Sequence, residues 1–211
     1  MDSAAVKSGF VYLASQSPRR AELLQQLGLR FEIIKATVDE SLQPDEAPEA
    51  YVRRVARDKA EAAVAALSGA IRAPIVTADT SVVLAGEILG KPRDREDGLA
   101  MLAKLSGQTH QVLSAVTVRT AAGGREALSV SQVRFREISA QEAEAYWRTG
   151  EPLGKAGGYA IQGHAAIFVE HLEGSYSGVM GLPLFETAAL LREVGVRLLP
   201  EEDAQQQFGE V

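Results

Sequence analysis

The first half of the chain alternates short apolar runs with amphipathic segments. Phe10 to Ala14 is apolar and predicts a buried strand, and the polar Ser15-Gln-Ser-Pro-Arg-Arg segment separates it from a leucine stripe that stops at Gly28. Ser17 is a suitable N-cap for the helix that carries this stripe, and Pro18 suits its first turn. The first unit is therefore predicted to be a strand, a polar loop and a helix.

A second unit of the same kind follows. Phe31 to Ile34 predicts a strand, and the acidic, proline-bearing segment from Val38 to Pro48 predicts a surface loop. Glu49 to Leu67 is rich in alanine, with its apolar positions on one face, and this pattern predicts a long amphipathic helix.

The centre of the chain contains two β-branched runs, from Pro74 to Ala78 and from Thr80 to Leu84. Two strands that meet at Asp79-Thr80 are the simplest interpretation, and one bent strand is equally compatible with the pattern. Arg95 to Leu105 then predicts another helix.

The most β-rich part of the chain comes next. Thr109 to Arg119 and Ala127 to Arg136 alternate apolar with small or polar residues, and Gly123-Gly124 between them predicts the turn of a hairpin. Ser139 with Glu142 three residues later has the spacing of a capping box and predicts a helix start.

The C-terminal part is expected to contain a strand, a flexible turn and a helix, in this order: Ile167 to Glu170, Gly174 to Gly178, and a helix that opens at Pro183. The order of elements predicts an α/β fold with a mixed, twisted sheet flanked by helices, arranged as two lobes with a central cleft. Residues 1–200 are expected to form a single domain, and residues 201–211 a mobile acidic tail.

Composition narrows the functional classes. The chain has 211 residues, 46% of them apolar and 24% charged, as in ordinary soluble globular proteins. Its formal charge of -6 argues against a nucleic acid polymer as partner, because binding to that backbone needs a basic face. The absence of cysteine excludes thiolate catalysis and Cys-ligated zinc. No apolar run reaches the roughly 18 residues of a membrane span, so we expect a cytoplasmic protein with no membrane attachment.

The polar segment after the first predicted strand is a candidate anion site. Ser15, Arg19 and Arg20 lie where a strand passes into a helix, so backbone N–H groups and both guanidinium groups could converge on an anion there. The planar guanidinium group suits this task because it binds two phosphate oxygens at once. A plain capped helix with solvated arginines explains the same residues equally well.

Asp79-Thr80 follows an apolar run, at the kind of position where α/β enzymes hold acidic metal ligands. Carboxylate oxygens are the ligands that Mg²⁺ prefers. Taken alone, an aspartate after a strand is more often a turn former.

Two later segments contain Gly-Lys pairs. Gly90-Lys91 is not a phosphate loop, because Gly86 is too close and proline replaces the required Ser or Thr. The segment from Glu151 to Gly163 contains four glycines together with Lys155 and Gln162. A glutamine side chain presents one donor and one acceptor, which can distinguish uracil or thymine from purines. A glycine-rich turn without a ligand is the alternative.

Five segments together resemble the Maf family of nucleotide pyrophosphatases. They occur in the family's order across nearly the whole chain: Leu13-Ala-Ser-Gln-Ser-Pro-Arg-Arg, Ala78-Asp-Thr, Gly90-Lys-Pro-Arg-Asp, Lys155-Ala-Gly-Gly-Tyr-Ala-Ile-Gln-Gly and Gly181-Leu-Pro. Each motif is weak by itself, but five in register make the resemblance specific. The resemblance implies a cytoplasmic enzyme, often a homodimer, with a fold similar to that of inosine triphosphate pyrophosphatases.

The resemblance also implies roles for individual residues. Asp79 corresponds to the family's general base, and Glu40, Lys59 and Lys91 correspond to residues that hold metal or polyphosphate. A divalent cation, Mg²⁺ or Mn²⁺, is implied on Asp79 and Glu40, with Asp39 as an alternative to Glu40. The residues expected to bind the substrate are Ser15, Arg19, Arg20, Thr80, Lys155 and Gln162.

Three of these positions match the family's uridine and thymidine branch, namely Arg19, Thr80 and Gln162. The implied reaction is hydrolysis of dTTP and UTP, rather than 7-methyl-GTP, to the nucleoside monophosphate and pyrophosphate. Modified pyrimidine triphosphates are further candidate substrates. Because the family name comes from septum formation, two alternatives stay open: a nucleotide-binding regulator of cell division without catalysis, and an interaction protein of the division machinery.

Overall fold

The structure, a computed structural model, describes residues 9–67 and 69–198. Within these ranges the strands are β1 (Phe10–Leu13), β2 (Arg30–Ile33), β3 (Ile75–Leu84), β4 (Glu87–Leu89), β5 (Thr109–Thr120), β6 (Gly123–Phe135) and β7 (Val169–Glu173). The α-helices are α1 (Pro18–Gln26), α2 (Pro48–Ala66), α3 (Arg95–Leu105), α4 (Ala140–Arg148), α5 (Tyr176–Met180) and α6 (Leu184–Glu193). Two short 3-10 helices, Ala156–Gly158 and His164–Phe168, lie between α4 and β7.

All the strands belong to one mixed sheet. Its order is β2-β1-β3-β5-β6-β7, and β4 pairs with β3 outside this path. β1 is parallel to both β2 and β3, whereas the pairs of β3 with β4, β3 with β5, β5 with β6 and β6 with β7 are antiparallel. The prediction of an α/β fold with a mixed sheet flanked by helices is confirmed.

β3 is covered unequally on its two edges. β5 pairs with one edge from Ile75 to Val83. On the other edge, β1 pairs only as far as Val76, and β4 pairs from Val82 onward. A gap is therefore left in the sheet beside residues 77–81, because β1 turns away into α1 before β4 begins.

Helices cover both faces of the sheet. α2 packs on one face over a cluster that includes Val52, Ala56, Val83, Leu113 and Ala115. On the other face, α1 and α6 contribute to one buried cluster and α3 and α4 to a second. These two clusters lie on either side of the gap beside β3.

Several predicted elements hold. α2 and α3 lie within one residue of the predicted bounds, and β5 and β6 form the predicted hairpin. Ser139 and Glu142 form the predicted capping box, in which the Ser139 hydroxyl accepts from the Glu142 N–H and the Glu142 carboxylate accepts from the Ser139 N–H. The signals for these elements are local, and neighbouring residues suffice to satisfy them.

Of the two interpretations of this region, the one with two strands meeting at Asp79 is wrong and the one with a single strand is correct. β3 is one continuous strand of ten residues, with Asp79 in its middle. The strand continues because β5 supplies hydrogen-bond partners along its whole length. The neighbour β1 is the strand that ends there, so Asp79 borders the gap because a different strand ends.

Three boundaries near the C-terminal half differ from the prediction. The final strand begins at Val169 rather than Ile167, because residues 164–168 form a 3-10 helix and β6 pairs with β7 only from Val169. The predicted flexible turn at Gly174–Gly178 is largely the helix α5, capped by the Ser175 hydroxyl, which accepts from the Gly178 N–H. The hairpin turns at residues 121–122, so Gly123 already belongs to β6.

Two smaller expectations are also corrected. Ser17 occupies the N-cap position of α1, but its side chain makes no capping hydrogen bond; the Ser15 hydroxyl instead accepts from the Ser17 N–H. β4 was not expected from the sequence. The predicted acidic tail at 201–211 lies outside the described residues, and the helices that are described include none with the length and hydropathy to cross a membrane.

Candidate functional site

The gap beside β3 opens into a cleft of about 850 Å³. Side chains alternate along a strand, so Asp79 faces α2 while Thr80 faces α1 and α5. The loop after β1 and the loop after β4 border the same gap. The cleft is therefore lined by parts of the chain that are far apart in sequence.

α2 is fixed against β3 in a register that aligns Lys59 with Asp79. The Thr77 hydroxyl donates to the Ala56 carbonyl at 2.6 Å. Lys59 lies one turn beyond Ala56, and Asp79 lies two residues beyond Thr77 on the same face of the strand. The Lys59 ammonium consequently donates to Asp79 Oδ1 at 2.8 Å.

Four charged side chains form a chain of ion pairs across this side of the cleft. Lys59 Nζ also lies 2.7 Å from Glu40 Oε1, and Lys91 Nζ lies 3.1 Å from Glu40 Oε2. The side chains of Lys59 and Asp79 are only 13% and 11% exposed, whereas Lys91 is exposed. The two carboxylates converge on one ammonium group. Because Glu40 is 37% exposed, the cluster is screened from water at Asp79 and Lys59 and opens to solvent at Glu40 and Lys91.

The surroundings hold Glu40 in its ionised form. Partial burial favours the neutral carboxyl, but hydrogen bonds and charge from Lys59 and Lys91 outweigh it and lower the pKa of Glu40 to about 2. Tyr51 fixes the backbone here, because its hydroxyl donates to the Glu40 carbonyl at 2.8 Å. Burial, followed by the negative charges of Asp79 and Glu40, raises the pKa of Tyr51 to about 12.

The arginines at the start of α1 line the wall of the cleft that lies opposite the Asp79 cluster, next to the end of α5. Arg20 donates through Nε to the Gly181 carbonyl at 2.7 Å and through Nη2 to the Thr80 hydroxyl at 3.4 Å. Arg19 donates to the Met180 carbonyl at 3.4 Å. Burial lowers the pKa of both guanidinium groups. Two positive charges are thus held at this wall by neutral acceptors.

Thr80 is held from behind by a buried serine. The Thr80 and Ser114 hydroxyls lie 2.8 Å apart, and Ser114 donates to the Gly178 carbonyl at 2.6 Å. Ser114 is fully buried on β5, directly opposite Thr80 in the strand register. This arrangement fixes the rotamer of Thr80 and ties β3 to α5.

The glycine-rich segment forms the third wall. The Gly157 N–H donates to the Gly90 carbonyl at 2.9 Å, so this segment packs on the loop that carries Lys91. Lys155 points into the cleft, where burial, assisted by the charge of Arg19, lowers its pKa. Gln162 lines the cleft and its side chain is exposed.

All ten predicted site residues line this one cleft: Ser15, Arg19, Arg20, Glu40, Lys59, Asp79, Thr80, Lys91, Lys155 and Gln162. Their individual roles stay predictions. Asp39, the alternative to Glu40, does not line the cleft, and its Oδ1 accepts from the Ser41 N–H at 2.8 Å.

Sequence reasoning missed Tyr51 and Ser114. Tyr51 lies two turns before Lys59 on α2, and helical spacing could have found it. Ser114 gave no local signal, because its partner belongs to another strand.

A divalent cation fits Asp79 and Glu40. Their oxygens are hard ligands, and they converge within 2.8 Å of one ammonium nitrogen. Among residues 9–67 and 69–198, no three Asp, Glu, His or Cys side chains form a group that could hold a metal ion. Mg²⁺ is often held by one or two carboxylates together with substrate phosphates, so two carboxylates are a sufficient protein contribution.

The chain matches the family model described as Maf-like protein over residues 10–194. It is 58% identical over 197 residues to the dTTP/UTP pyrophosphatase of Cupriavidus metallidurans, which covers 90% of this chain and 98% of that protein. It is 57% identical over 188 residues to the dTTP/UTP pyrophosphatase of Alkalilimnicola ehrlichii, covering 87% and 92%. The protein of the same name from Ralstonia nicotianae is 53% identical over 207 residues, covering 94% and 100%. Among solved structures, the Ham1 protein of Staphylococcus aureus covers 62% of this chain and 72% of its own, with 16% identity and a TM-score of 0.42.

Proposed function

Because the chain belongs to the Maf family, we propose that it is a nucleoside triphosphate pyrophosphatase, which hydrolyses dTTP and UTP to the nucleoside monophosphate and pyrophosphate. The observation that carries this proposal is the cleft itself. It combines two carboxylates on one lysine with basic side chains on its other two walls, Arg19 and Arg20 on one and Lys155 on the other. The family match over residues 10–194 includes every residue that lines this cleft.

The basic side chains of the cleft support binding of a polyphosphate. The charges of Asp79, Glu40, Lys59 and Lys91 cancel within their own cluster. Within residues 9–67 and 69–198, Arg19, Arg20 and Lys155 form no ion pair with a carboxylate, and burial makes their positive charge costly without a bound anion. A bound triphosphate relieves that cost, so these side chains bind and orient the phosphate chain.

Asp79 is suited to receive the proton of the attacking water. Lys59 holds its carboxylate in place, and the low exposure of both groups strengthens their interaction. The water oxygen forms a bond to the α-phosphorus, its proton passes to Asp79, and the bond from the α-phosphorus to the bridging oxygen breaks. The electron pair leaves with pyrophosphate, whose developing charge Lys91 and Lys155 stabilise.

Asp79 and Glu40 would hold Mg²⁺ or Mn²⁺. Such a cation supplies further neutralisation of the phosphate oxygens and makes a bound water more acidic. Gln162 supports selection of the base, since one amide donor and one acceptor match the imide edge of uracil and thymine.

A pyrophosphate-release assay tests the proposal. Purified protein is given dTTP, UTP, CTP, ATP, GTP and 7-methyl-GTP, each with Mg²⁺, Mn²⁺ or EDTA. We expect pyrophosphate from dTTP and UTP with either metal and almost none with EDTA. Release of orthophosphate instead would contradict cleavage between the α and β phosphates. Tight binding of UTP without any product would favour the alternative of a non-catalytic regulator.

We further propose that the enzyme is cytoplasmic and works as a homodimer on free nucleotides. These proposals rest on the family resemblance and on the acidic composition. Light scattering coupled to size exclusion tests the dimer, and a mass of one chain at micromolar concentration would reject it. Fluorescence of a tagged chain in its host cell tests the compartment.

A further inference from the structure

The carboxylate of Glu151, the first residue of the glycine-rich segment, is bonded to Tyr146 of α4 and to His164 and Ala165, the two residues that follow the segment. Its side chain is 16% exposed. Oε1 accepts from the Tyr146 hydroxyl at 2.8 Å and from the Ala165 N–H at 3.2 Å. Oε2 accepts from the His164 N–H at 2.8 Å and lies 3.0 Å from His164 Nδ1. Both oxygens therefore face donors, and two of these donors are backbone N–H groups.

These bonds hold the chain on both sides of Gln162. The Tyr146 hydroxyl, itself bonded to Glu151, accepts from the Ala160 N–H at 3.3 Å. His164 and Ala165 are held directly. The Glu151 carboxylate therefore fixes the backbone two residues before Gln162, at Ala160 through Tyr146, and two residues after it, at His164.

Gly163 brings the backbone into direct contact with this carboxylate. A Cβ at position 163 would lie 2.2 Å from Glu151 Oε2, so only glycine allows the approach seen here. The peptide next to Gln162 consequently rests on the Glu151 side chain. A small movement of that side chain moves the point from which the Gln162 amide reaches into the cleft.

We propose that Glu151 is a positioning residue, which sets base selectivity by fixing the place from which Gln162 meets the nucleobase. This inference rests on the proposed function, because it assumes that Gln162 contacts uracil or thymine. Glu151 itself does not line the cleft and touches no substrate in this proposal.

The arrangement requires a carboxylate rather than a carboxamide. A glutamine at 151 would present an NH₂ group either to the Ala165 N–H or to the His164 N–H. One of the two bonds is then lost in either orientation. Although burial disfavours the charged form, the bonds from His164, Tyr146 and Ala165 lower the pKa of Glu151, which agrees with a carboxylate that stays ionised.

The test compares Glu151→Gln with a matched control, Glu142→Gln. Glu142 also accepts a backbone N–H and a hydroxyl, both from Ser139, but it belongs to the capping box of α4, and its other partner is Arg136 rather than a residue of the 160–165 stretch. Steady-state kinetics are measured with UTP and CTP. We expect Glu151→Gln to lower kcat/KM for UTP about tenfold, mainly through KM, and to reduce the preference for UTP over CTP. Glu142→Gln should keep the wild-type preference for UTP over CTP, even if it lowers the thermal midpoint of unfolding as much as Glu151→Gln does.

A double-mutant cycle asks whether Glu151 acts through Gln162. In a Gln162→Ala background, Glu151→Gln should have no further effect on the UTP to CTP preference, because the group being positioned is absent. A loss of activity by Glu151→Gln that is equal for UTP and CTP would overturn the inference. So would a change of preference that persists fully in the Gln162→Ala background.

Tyr146→Phe covers the case in which Glu151→Gln does not fold. It removes the link to Ala160 while the N–H donors to Glu151 remain, and we expect a smaller loss of UTP preference. A wild-type preference in Tyr146→Phe would then overturn the inference.

Hydrogen–deuterium exchange gives a readout that does not need activity. Residues 160–165 should exchange faster in Glu151→Gln than in the wild type or in Glu142→Gln, and unchanged exchange would overturn the inference. If the wild-type protein releases no pyrophosphate, the proposed function fails, while the exchange result still decides whether Glu151 holds this segment.

Discussion

Asp79 and Lys59 are two opposite charges largely withdrawn from water, and Glu40 supplies a second carboxylate to the same ammonium. Two carboxylates at one site would normally repel each other. Lys59 reduces that repulsion, because its charge lies between them at 2.7 and 2.8 Å. Both carboxylates can therefore face the same part of the cleft.

Asp79→Asn keeps the shape of the side chain and removes its charge and basicity. We expect turnover of UTP to fall by roughly 10²–10⁴-fold, the usual contribution of a positioned general base. Folding should persist, since Lys59 still has Glu40 as a partner. Pyrophosphate release and circular dichroism measure the two effects.

Asp58→Asn is the matched control for this variant. Asp58 is adjacent to Lys59 on α2, pairs with Arg54 and does not line the cleft. It should keep wild-type turnover. Full activity in Asp79→Asn would reject Asp79 as the base.

His110 makes stability depend on pH outside the catalytic cluster. It is buried on β5, its Nε2 lies 2.8 Å from the Tyr159 hydroxyl, and its Nδ1 has no hydrogen-bond partner in the part of the chain that the structure describes. Burial lowers the pKa of His110 from 6.5 to about 4. Between these values the unfolded chain binds a proton that the folded chain does not, so stability falls as pH drops from 6.5 toward 4.

His110→Gln should flatten this dependence. The wild-type free energy of unfolding should fall by up to about 1.4 kcal/mol per pH unit from this residue alone. Urea unfolding at pH 6.5, 5.75 and 5 measures the slope. Glu40 changes stability only at lower pH, between its ordinary pKa of 4.5 and its folded-state pKa of about 2. Equal slopes in the variant and the wild type would show that His110 is not the source.

β3 is the central element of the site. On one of its edges, β1 pairs only up to Val76 and β4 only from Val82, so within the described residues the middle of β3 is left unpaired on that edge. The glycine-rich segment packs on β3 next to this open edge, where Gly157 contacts Val82. A Cβ at 157 would lie 2.9 Å from Val82 Cγ1, and φ at Gly157 is +66°. Glycine is thus required here for two separate reasons, conformation and space.

A comparison of Gly157→Ala with Gly86→Ala separates the effect of backbone conformation from the effect of limited space. Gly86 also has a positive φ, +84°, but nothing lies within 4 Å of its Cβ position. Both variants carry the conformational strain, and only Gly157→Ala adds a clash with β3. We expect Gly157→Ala to lower the free energy of unfolding by about 1–3 kcal/mol more than Gly86→Ala. Urea unfolding checks this, and equal losses would contradict the close packing of the segment on β3.

The cleft lies between two buried clusters that share the sheet, one beneath α1 and α6 and the other beside α3 and α4. A nucleotide in the cleft would contact Arg19 on one side and Lys155 on the other. Binding should therefore stabilise the whole molecule rather than one segment.

A non-hydrolysable UTP analogue tests this linkage and the metal proposal together. At about 100 times its Kd, a ligand that binds only the folded state adds about 2.7 kcal/mol of stability. We expect a clear rise of Tm with the analogue and Mg²⁺ and a much smaller rise with the analogue and EDTA. Equal rises would contradict a cation shared by Asp79, Glu40 and the phosphates, and the corresponding GTP analogue serves as the selectivity control.

The sequence by itself determined the features that depend on neighbouring residues. The apolar stripe of α2, the bounds of α3 and the capping box of Ser139 follow from local periodicity and spacing, and the structure confirms them. The family resemblance also gave the ten residues that line the candidate site, although it contained no information about their distances.

Only the tertiary structure decided how those residues meet. Whether β3 stops at Asp79 depends on β5, in which the residue opposite Asp79 is Ala115, far along the chain. Lys59 reaches Asp79 because of the register between α2 and β3, and Glu151 bonds to His164 and Ala165, which follow Gln162 in the chain. Strand pairing, register and loop packing are non-local choices, since their free energy comes from contacts between segments that no local pattern specifies.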